Sequence, residues 1–494
     1  MRNYCPLLLL LALPAGAEDK RPNILIAIAD DQSYPYTSYY GLPGISTPGF
    51  DFVASSGVAF SNAYVSSPGS SPSRASILTG KYPWQIAEAG THASSFPAEY
   101  ICLPDIMEAE GYRTGFTGKG WAPGNWQISG RKRNPAGPAF NEKRSTPPHK
   151  GISNVDYAAN FEAFLESSDS SKPFYFWYGA NEPHRPYSAD SWKKEGRNPE
   201  DAPVPPFLPR VDAVEADIAN HIIEIEWFDS HLQKIIGILR DKGMLENTLI
   251  IVTADNGMPF PHAKANCYES GIHVPFAVCW GERIRHREIE NTIVSTVDIF
   301  PTVLDAARIR KDKYSPSGYS LAPLLGFTGG KYRREATFSG RERHSSSRYL
   351  NMGYPVRTIR KGDYILIHNF HPERWPAGNP LLKDGIDLHK GFRDIDDSPS
   401  KSFLIEHGYE NGYAAYYSAA VAKKPEFELF NIREDPQCMS NLAGKEEYRK
   451  VFESMKSELE NFLIATGDSR YGDNPEVWES YPRLVGADYE FCED

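Results

Sequence analysis

The chain of 494 residues is poor in cysteine, has no excess of positive charge and has no long apolar run beyond its start. Six cysteines are too few to form a disulfide scaffold at this length. The formal net charge of −11 provides no overall field for a polyanion, so nucleic acid is not an expected partner. No internal repeat or low-complexity segment is present. A hydrophobic content of 40% predicts a packed globular protein with one large and one smaller unit.

The apolar segment at the start has the features of a secretory signal peptide. It contains the basic Arg2, the apolar core Leu7–Leu13 and the small residues Ala15–Ala17. We expect residues 1–17 to be removed and the protein to be exported, to the periplasm or outside the cell. The core is too short to span a bilayer. Without Cys5, five cysteines remain, which allow at most two disulfides and show no zinc-binding spacing.

Two predicted strands each end in a pair of side chains that carry oxygen atoms. Ile24–Ala29 and Thr248–Ala254 are continuous apolar runs, typical of buried parallel strands. The residues that follow them are Asp30, Asp31, Asp255 and Asn256. Open α/β sheets bind ligands at the carboxyl ends of their strands, and a hard divalent cation offsets the repulsion of adjacent carboxylates. For either pair taken alone, a solvated turn or a helix cap is the alternative.

The run Ser70–Gly80 begins with two serines, a proline, a third serine and Arg74. Helix signals follow Arg74 and would direct the amides of a helix N-terminus towards an anion. A serine that simply caps a helix is the alternative. A bare serine hydroxyl is a weak nucleophile, so a catalytic role requires its activation.

This run resembles the signature of the type I sulfatases, which has Cys or Ser, any residue, Pro, Ser or Ala, and Arg before an apolar stretch ending in Thr-Gly. In that family the first residue is oxidised to formylglycine. The resemblance implies this modification at Ser70, with Arg74 stabilising the aldehyde region. A serine-type site also implies an anaerobic-type radical maturation enzyme as a partner. The Ca²⁺ ligands that the resemblance implies are Asp30, Asp31, Asp255, Asn256 and the modified Ser70.

Three further elements of the family are present, two of them with a substitution. Lys119 matches the lysine of the Gly-Lys-Trp-His element, which contacts the sulfate, but Trp121 stands where the histidine is expected. His184, in a Pro-His element after an aromatic strand, is the implied general acid. Lys264 is implied to contact the sulfate and the bridging oxygen. In the following Tyr-Glu-x-Gly-x-Arg-x-Pro element, His273 replaces the arginine.

The resemblance also implies the fold. We expect an α/β protein with a large mixed sheet between helices, of the alkaline phosphatase-like kind, over residues 18–329. We expect a smaller α+β subdomain, with antiparallel strands and a terminal helix, over residues 330–494. The short apolar runs Val356–Ile359 and Tyr364–Ile367 and the amphipathic Tyr448–Thr466 match this second part.

The elements Pro183–Arg185, Asp255–Pro261 and Tyr354–Arg357 look most like the heparan N-sulfatase (sulfamidase) branch, which leaves more than one activity open. Our first expectation is hydrolysis of a sulfate ester on a sugar of a sulfated glycan or polysaccharide, and removal of N-linked sulfate from glucosamine is the alternative. A phosphatase or phosphodiesterase of the same superfamily and an inactive glycan-binding protein are further alternatives. The maturation motif argues against a phosphatase or phosphodiesterase, and the complete set of metal ligands argues against an inactive binding protein.

The catalytic groups recognise sulfate, so the sugar must be recognised by other residues around them. Pairs of arginines bind carboxylate or sulfate in a bidentate manner, and aromatic rings stack on sugar faces. The expected substrate-binding residues are Arg185, Arg343 and His344, with the basic loop Arg131–Arg133, Tyr354 and Trp375 as further candidates.

Overall fold

The computed structural model describes residues 20–167, 169, 171–383, 385–386, 390–486 and 490–493. The predicted signal peptide, residues 1–17, lies outside the described residues. The strands are β1 (Asn23–Ala29), β2 (Val58–Phe60), β3 (Ala63–Tyr64), β4 (Arg113–Gly118), β5 (Phe174–Gly179), β6 (Thr248–Ala254), β7 (Phe276–Cys279), β8 (Val294–Ser295), β9 (Ala336–Arg341), β10 (Val356–Lys361), β11 (Tyr364–Asn369), β12 (Leu381–Leu382), β13 (Gly385–Ile386) and β14 (Phe427–Asn431). The α-helices are α1 (Pro48–Ser55), α2 (Ser70–Thr79), α3 (Leu103–Ala109), α4 (Tyr157–Glu166), α5 (Ser191–Lys194), α6 (Asp212–Asp241), α7 (Glu269–Ile272), α8 (Ile299–Ala306), α9 (Ala322–Leu325), α10 (Pro399–His407), α11 (Ala414–Val421) and α12 (Arg449–Ala465).

The larger sheet has six strands in the order β2-β7-β6-β1-β5-β4. The four neighbours β6, β1, β5 and β4 are parallel, and β7 runs antiparallel to both β6 and β2. The sheet is therefore mixed, as expected. Its central strand β1 is completely buried, which explains its unbroken apolar sequence.

Helices cover both faces of this sheet because alternate residues of each strand point to opposite sides. On one side, Leu25 and Ala27 pack in a cluster with apolar residues of α1, α4 and α6. On the other side, Ile24 and Ile26 pack with α2, α3 and α8. This is the predicted α/β architecture of a sheet between two helical layers.

The smaller sheet is antiparallel, in the order β14-β11-β10-β9. On one face, Ile359 and Leu366 pack with Leu459 of α12. On its other face, Ile365 and Ile367 belong to the same apolar cluster as β1 and α6. The two sheets therefore share a core, and a division of the chain at residues 329 and 330 stays a prediction.

The sequence predicted most of the elements that carry the site, with one difference at Ser70. The helix was expected after Arg74, but α2 already begins at Ser70, because Gly69 is extended and precedes the first turn. The helix ends at Gly80, whose φ of 68° places it in the left-handed region that glycine adopts without strain. Ser70 thus belongs to the first turn of the helix. Among the elements that were not predicted are β2, β7, β9, α4, α10 and α11.

The five cysteines in the described part of the chain are all free thiols. Four of them are buried, and they act as small apolar side chains. Among the helices that the structure describes, none combines the length and apolarity needed to cross a bilayer.

Candidate active site

Four parallel strands end at the same edge of the larger sheet and bring the predicted site residues together. Ala29 pairs with Ala254, so Asp30 and Asp255 are the next residues of two adjacent strands. The Asp255 amide donates to the Ala29 carbonyl at 3.1 Å, which extends the pairing by one residue. On the other side of β1, β5 leads to His184 and β4 leads to Lys119.

Three buried carboxylates form the centre of this edge. Asp30, Asp31 and Asp255 each place one carboxylate oxygen within 4.8 Å of the other two. Asp31 has a φ of 76°, a left-handed conformation that aspartate adopts more readily than most residues and that is typical of functional sites. Its amide donates to Asp255 Oδ1 at 3.1 Å. The fold thus holds like charges together, an arrangement that suits a cation.

Ser70 and Asn256 add two further oxygen atoms to this cluster. The Ser70 hydroxyl, which is almost completely buried, lies 3.0 Å from Asp30 Oδ1 and 3.3 Å from Asn256 Oδ1. The Asn256 amide nitrogen donates to Asp31 Oδ1 at 2.6 Å. Because Ser70 is in the first turn of α2, the unpaired amides of the helix N-terminus also face this region.

Two cationic side chains contact these carboxylates directly. Arg74 Nε donates to Asp255 Oδ2 at 2.7 Å, and Lys119 Nζ donates to both oxygens of Asp30, at 2.8 and 2.6 Å. Burial opposes ionisation of Asp30, but Lys119 and Arg74 outweigh it and hold the pKa of that carboxyl well below its ordinary value. Burial raises the pKa of Asp255, against the effect of Arg74.

Lys264 connects the cluster to a carboxylate that the sequence did not suggest. Its Nζ donates to Asp31 Oδ2 at 2.7 Å and to Asp396 Oδ2 at 2.9 Å. Burial disfavours the charged amine, but Asp31 and Asp396 outweigh it, and the pKa of Lys264 is raised. The ammonium group therefore bridges the two carboxylates.

His184 lies at the opening of the site. Its Nδ1–H donates to the Arg185 carbonyl at 2.6 Å, which orients the ring. The other ring nitrogen, Nε2, lies 3.9 Å from Asp31 Oδ2, and 38% of the side chain is exposed. This nitrogen is thus directed towards the carboxylates while it remains accessible from outside.

Comparison with known protein families adds the decisive observation. Residues 22–309, more than half of the chain, match the family described as Sulfatase. The chain belongs to the sulfatase family. It is thus an enzyme that hydrolyses sulfate esters, as the resemblance implied.

Individual relatives match the sulfatase over nearly its whole length. Human N-sulphoglucosamine sulphohydrolase is 27% identical over 500 residues, which cover 94% of this chain and 93% of the relative. Arylsulfatase K of Bos taurus is 30% identical over 550 residues, with 97% and 91% covered. A solved structure of a protein with its substrate, D-glucosamine-2-N,6-O-disulfate, has a TM-score of 0.65 at 21% identity and covers 92% of this chain and 100% of that one. At that identity the likeness concerns the fold alone.

The predicted sugar-binding residues of the sulfatase are largely bound to other protein groups. Arg185 Nη1 and Nη2 donate to the two carboxylate oxygens of Asp217, at 2.7 and 2.8 Å, and Nε donates to the Pro259 carbonyl. Arg343 is buried and donates to the Tyr481 carbonyl at 2.8 Å. For both arginines these contacts favour a structural role, and substrate binding stays a prediction.

His344 lies beside Gly69, the residue that precedes the nucleophile position. Its ring stacks on that of His92, with the centroids 4.3 Å apart. A Cβ atom on Gly69, the residue before Ser70, would lie 3.0 Å from His344 Nδ1, so a larger residue there would require the His344 ring to shift. Burial lowers the pKa of His344 to about 3, which keeps the ring neutral.

The remaining sugar-binding candidates also contact other protein groups. Arg131 and Arg133 pair with Asp105 of α3, at 3.6 and 3.0 Å. Tyr354 is buried, and its ring lies beneath the guanidinium groups of Arg341 and Arg348. Trp375 packs on Phe392 and beneath the amine of Lys423.

The two substituted family positions of the sulfatase have structural contacts. Trp121 is buried, packs edge-on against Phe96, and donates from Nε1 to the Ser71 carbonyl at 3.0 Å. His273 stacks between Tyr34 and Tyr64, and its Nε2 lies 2.8 Å from the Ser61 carbonyl. Both residues thus lie among aromatic side chains and outside the carboxylate cluster.

Sequence reasoning missed three polar residues at the site, namely Asp396, Glu182 and His92. Glu182 lies beneath the Pro-His element and accepts hydrogen bonds from the Ser153 amide and the Tyr157 hydroxyl, both at 2.7 Å. Burial raises the pKa of Glu182 to about 7. Asp396 and His92 follow no predicted strand directly and belong to no recognised pattern, so the sequence offered no signal for them. Glu182 directly precedes the Pro-His element and could have been noticed there.

Proposed function

We propose that this sulfatase hydrolyses a sulfate ester on a sugar of a sulfated glycan or polysaccharide, with a formylglycine formed from Ser70 and a bound Ca²⁺. The observation that carries the proposal is the position of Ser70. Its hydroxyl is in contact with the carboxylate cluster and at the N-terminus of α2, with Arg74 one helical turn away. A nucleophile at this position meets both a cation site and helix amides that favour an anion.

The composition of the cluster fits Ca²⁺. Its donors are carboxylate, amide and hydroxyl oxygens, the ligands that hard cations prefer. The four carboxylates of the site, including that of Asp396, face three cationic side chains, those of Arg74, Lys119 and Lys264. A divalent cation would change the local sum of charges from one negative to one positive, which suits an anionic sulfate. The residues that would hold it are Asp30, Asp31, Asp255, Asn256 and the modified Ser70.

The chemistry then divides among the residues present. When bound, Ca²⁺ supplies Lewis acidity towards a sulfate oxygen, and the hydrated aldehyde supplies two hydroxyls on one carbon, one to attack sulfur and one to allow release of sulfate. Lys119 and Lys264 hold positive charge beside the sulfate as negative charge develops in the transition state. When both its ring nitrogens are protonated, His184 can donate the Nε2 proton to the leaving oxygen, because Nε2 is accessible and directed towards the cluster while Nδ1–H stays bound to the Arg185 carbonyl.

The substrate assignment is supported by the curated relatives. Human N-sulphoglucosamine sulphohydrolase, by its name, acts on a sulfated sugar, and it aligns with 94% of this chain. The apolar start of the sequence supports export, where an enzyme meets extracellular glycans. Removal of N-linked sulfate from glucosamine is the second candidate function, favoured by the same relative.

Mass analysis of the Ser70 peptide from protein made with and without a radical maturation enzyme tests the modification. We expect the matured peptide to be two hydrogens lighter and only the matured protein to release sulfate. Ser70→Cys is expected to regain activity in a host that oxidises cysteine. Ser71→Ala, at the motif position that tolerates any residue, is the matched control. Full activity of a verified unmodified Ser70 would favour the phosphatase-type mechanism, and a matured protein without turnover would favour the inactive binding protein.

Matched oligosaccharides that differ only in carrying O-linked or N-linked sulfate test the substrate. We expect faster release from the O-sulfated sugar, with a simple aryl sulfate as the reference. Rapid release from N-sulfated glucosamine alone would replace the ester assignment by the second candidate.

A further inference from the structure

Asp396 reaches the opening of the site from a part of the chain remote from the metal-binding strands. Its Oδ2 accepts from Lys264 Nζ at 2.9 Å, and a quarter of the side chain is exposed. One oxygen of Asp396, one oxygen of Asp31 and one ring nitrogen of His184 all lie within 4.8 Å of one another. The carboxylate is therefore next to the general acid and accessible from the same side.

The segment that carries Asp396 is fixed by the preceding residues. Asp394 is buried and accepts from Arg341 Nη2 at 2.8 Å, from Arg348 Nη2 at 2.6 Å and from the Ser345 amide at 2.9 Å. Its own amide donates to the Ala377 carbonyl at 3.0 Å. These contacts leave the backbone before Asp396 little freedom.

The residues that follow fix the other side of the segment. Lys401 Nζ donates to the Ile395 carbonyl at 3.2 Å and to Asp397 Oδ1 at 3.1 Å. A carboxylate held in this way beside a catalytic histidine has a defined position relative to a bound substrate. The side chain of Asp397, by contrast, is 79% exposed.

The position of Asp396 determines what it can contact. The leaving oxygen must lie near His184 Nε2 to receive a proton, so the carbon that bears it enters the space beside Asp396. The nearest other group of a sugar is the substituent on the adjacent ring carbon. A hydroxyl there can donate to the carboxylate, whereas a sulfate or carboxylate there places two negative charges together.

We propose that Asp396 determines specificity: it accepts a hydrogen bond from a hydroxyl adjacent to the sulfated position and excludes sugars that carry an anionic group there. This inference rests on the proposed sugar substrate. It assigns to the enzyme monosulfated sugars, or sugars whose second sulfate is remote from the scissile one. In this proposal Asp396 affects which substrate is bound, and it takes no part in the attack on sulfur.

The test uses four substrates with the matured protein. They are the monosulfated methyl glycoside that the wild type hydrolyses best, its analogue without the adjacent hydroxyl, its analogue with a second sulfate there, and an aryl sulfate. The variants are Asp396→Ala and Asp396→Asn, with Asp397→Asn as the control in the same segment. Because Asp396 also contacts Lys264, each kcat/KM is expressed relative to that for the aryl sulfate.

For the wild type, we expect loss of the adjacent hydroxyl to lower the relative kcat/KM about 10- to 100-fold, as for a hydrogen bond to a charged group. In Asp396→Ala, the sugars with and without the adjacent hydroxyl should have nearly the same relative kcat/KM, so that their ratio is close to one. Asp396→Asn should raise the relative rate on the disulfated sugar about tenfold, because it removes the negative charge. Asp397→Asn should retain the wild-type ratios, because the asparagine keeps an Oδ1 that can accept from Lys401.

Equal losses of Asp396→Ala and Asp396→Asn on all four substrates would overturn the proposal, since they indicate an effect through Lys264 alone. Calorimetric binding of the three sugars to Ser70→Ala protein, with and without Asp396→Ala, gives a readout independent of turnover. If no sulfate is released from any substrate, the proposed function fails, and the binding ratios still decide the role of Asp396. If Asp396→Ala leaves the relative binding affinities for the three sugars unchanged, the proposed role of Asp396 is contradicted.

Discussion

The strand-end cluster (Asp30, Asp31, Asp255, Arg74 and Lys119) and the Asp394 cluster (Asp394, Arg341, Arg348 and Ser345) both bury charge, but in different arrangements. In the Asp394 cluster one carboxylate is enclosed by two guanidinium groups and a backbone amide, so its charge is compensated by its immediate neighbours. In the strand-end cluster three carboxylates bring oxygens within 4.8 Å of one another. The first arrangement is explained by the stability of the fold, whereas the second brings like charges together and needs a function to explain it.

Lys264 and Asp396 form the connection between these two regions. Lys264 binds Asp31 of the strand-end cluster, and Asp396 lies two residues after Asp394. An effect on turnover and an effect on stability can therefore be separated only with variants inside each cluster. We make three predictions, from the largest expected effect to the smallest. The first two make that separation, and the third concerns a buried carboxyl outside both clusters.

The largest effect is expected from Asp255→Ala in the strand-end cluster. It should lower sulfate release about 1,000-fold, because charge stabilisation by a bound metal ion is worth several kcal/mol. The fold should persist, since Arg74 keeps Asp30 and the Lys119 and Gly120 carbonyls as partners. Steady-state sulfate release and thermal unfolding measure the two properties.

A chelator provides the matching check on Asp255→Ala. Chelation should lower wild-type turnover by a similar factor and leave the residual turnover of the variant unchanged. Asp105→Ala, which removes a carboxylate paired with Arg133 on the surface, should retain wild-type turnover. Wild-type activity of Asp255→Ala would show that the cluster does not serve the reaction.

In the Asp394 cluster the expected effect is on stability. Asp394→Asn should lower the free energy of unfolding by about 3–5 kcal/mol, since it leaves two buried guanidinium groups without their carboxylate. Denaturant unfolding measures this loss. Asp397→Asn, at an exposed position, should change stability by less than about 0.5 kcal/mol. If Asp394→Asn has the same free energy of unfolding as the wild type, the Asp394 cluster does not stabilise the fold, and the proposed difference between the two clusters is wrong.

A smaller effect, dependent on pH, is expected from Glu224 of α6, which belongs to neither cluster. Burial raises its pKa to about 9, and Glu182 adds to the effect. Between its ordinary pKa of 4.5 and about 9, the unfolded chain is ionised while the folded protein keeps the proton, so stability falls as pH rises. Glu224→Gln should therefore stabilise the protein at pH 8 by about 1–3 kcal/mol, and by less at pH 5.

Unfolding at the two pH values, with Glu215→Gln on the same helix as the control, checks the Glu224 prediction. Glu215 is partly exposed and pairs with Arg210 at 3.1 Å, so its substitution should give no comparable dependence on pH. A pH-independent gain for Glu224→Gln would assign the effect to packing.

The sequence indicated the strand-end cluster and missed the role of the Asp394 cluster for a physical reason. A buried parallel strand has a recognisable apolar pattern, and the residues after it must lie at one edge of the sheet, so Asp30 and Asp255 could be placed together. Arg185 and Arg343 gave no comparable information. Whether an arginine contacts a ligand or a protein carboxylate depends on partners remote in sequence, such as Asp217 for Arg185.

The same limit explains why Asp396 was missed. Its run of charged residues has the composition of an exposed loop, and the contacts that hold the segment beside Lys264, those of Asp394 and Lys401, involve partners that the local sequence does not reveal. The strands β1 and β6 and the helix α12 were predicted because their apolar patterns extend over a complete strand or several turns.

The segment around residues 481–484 sets an order of events for a newly made chain. The Pro482 carbonyl accepts from Ser94, the Leu484 amide donates to the Ala93 carbonyl, and Arg483 donates to the His344 carbonyl beside His92. The contacts that hold His92 and His344 beside Gly69 are therefore completed by residues synthesised long after the strand ends of the site. Until residues 481–484 emerge, a nascent chain can carry the metal-binding strands without these contacts. A ribosome that stops before this point releases a protein with an incomplete site.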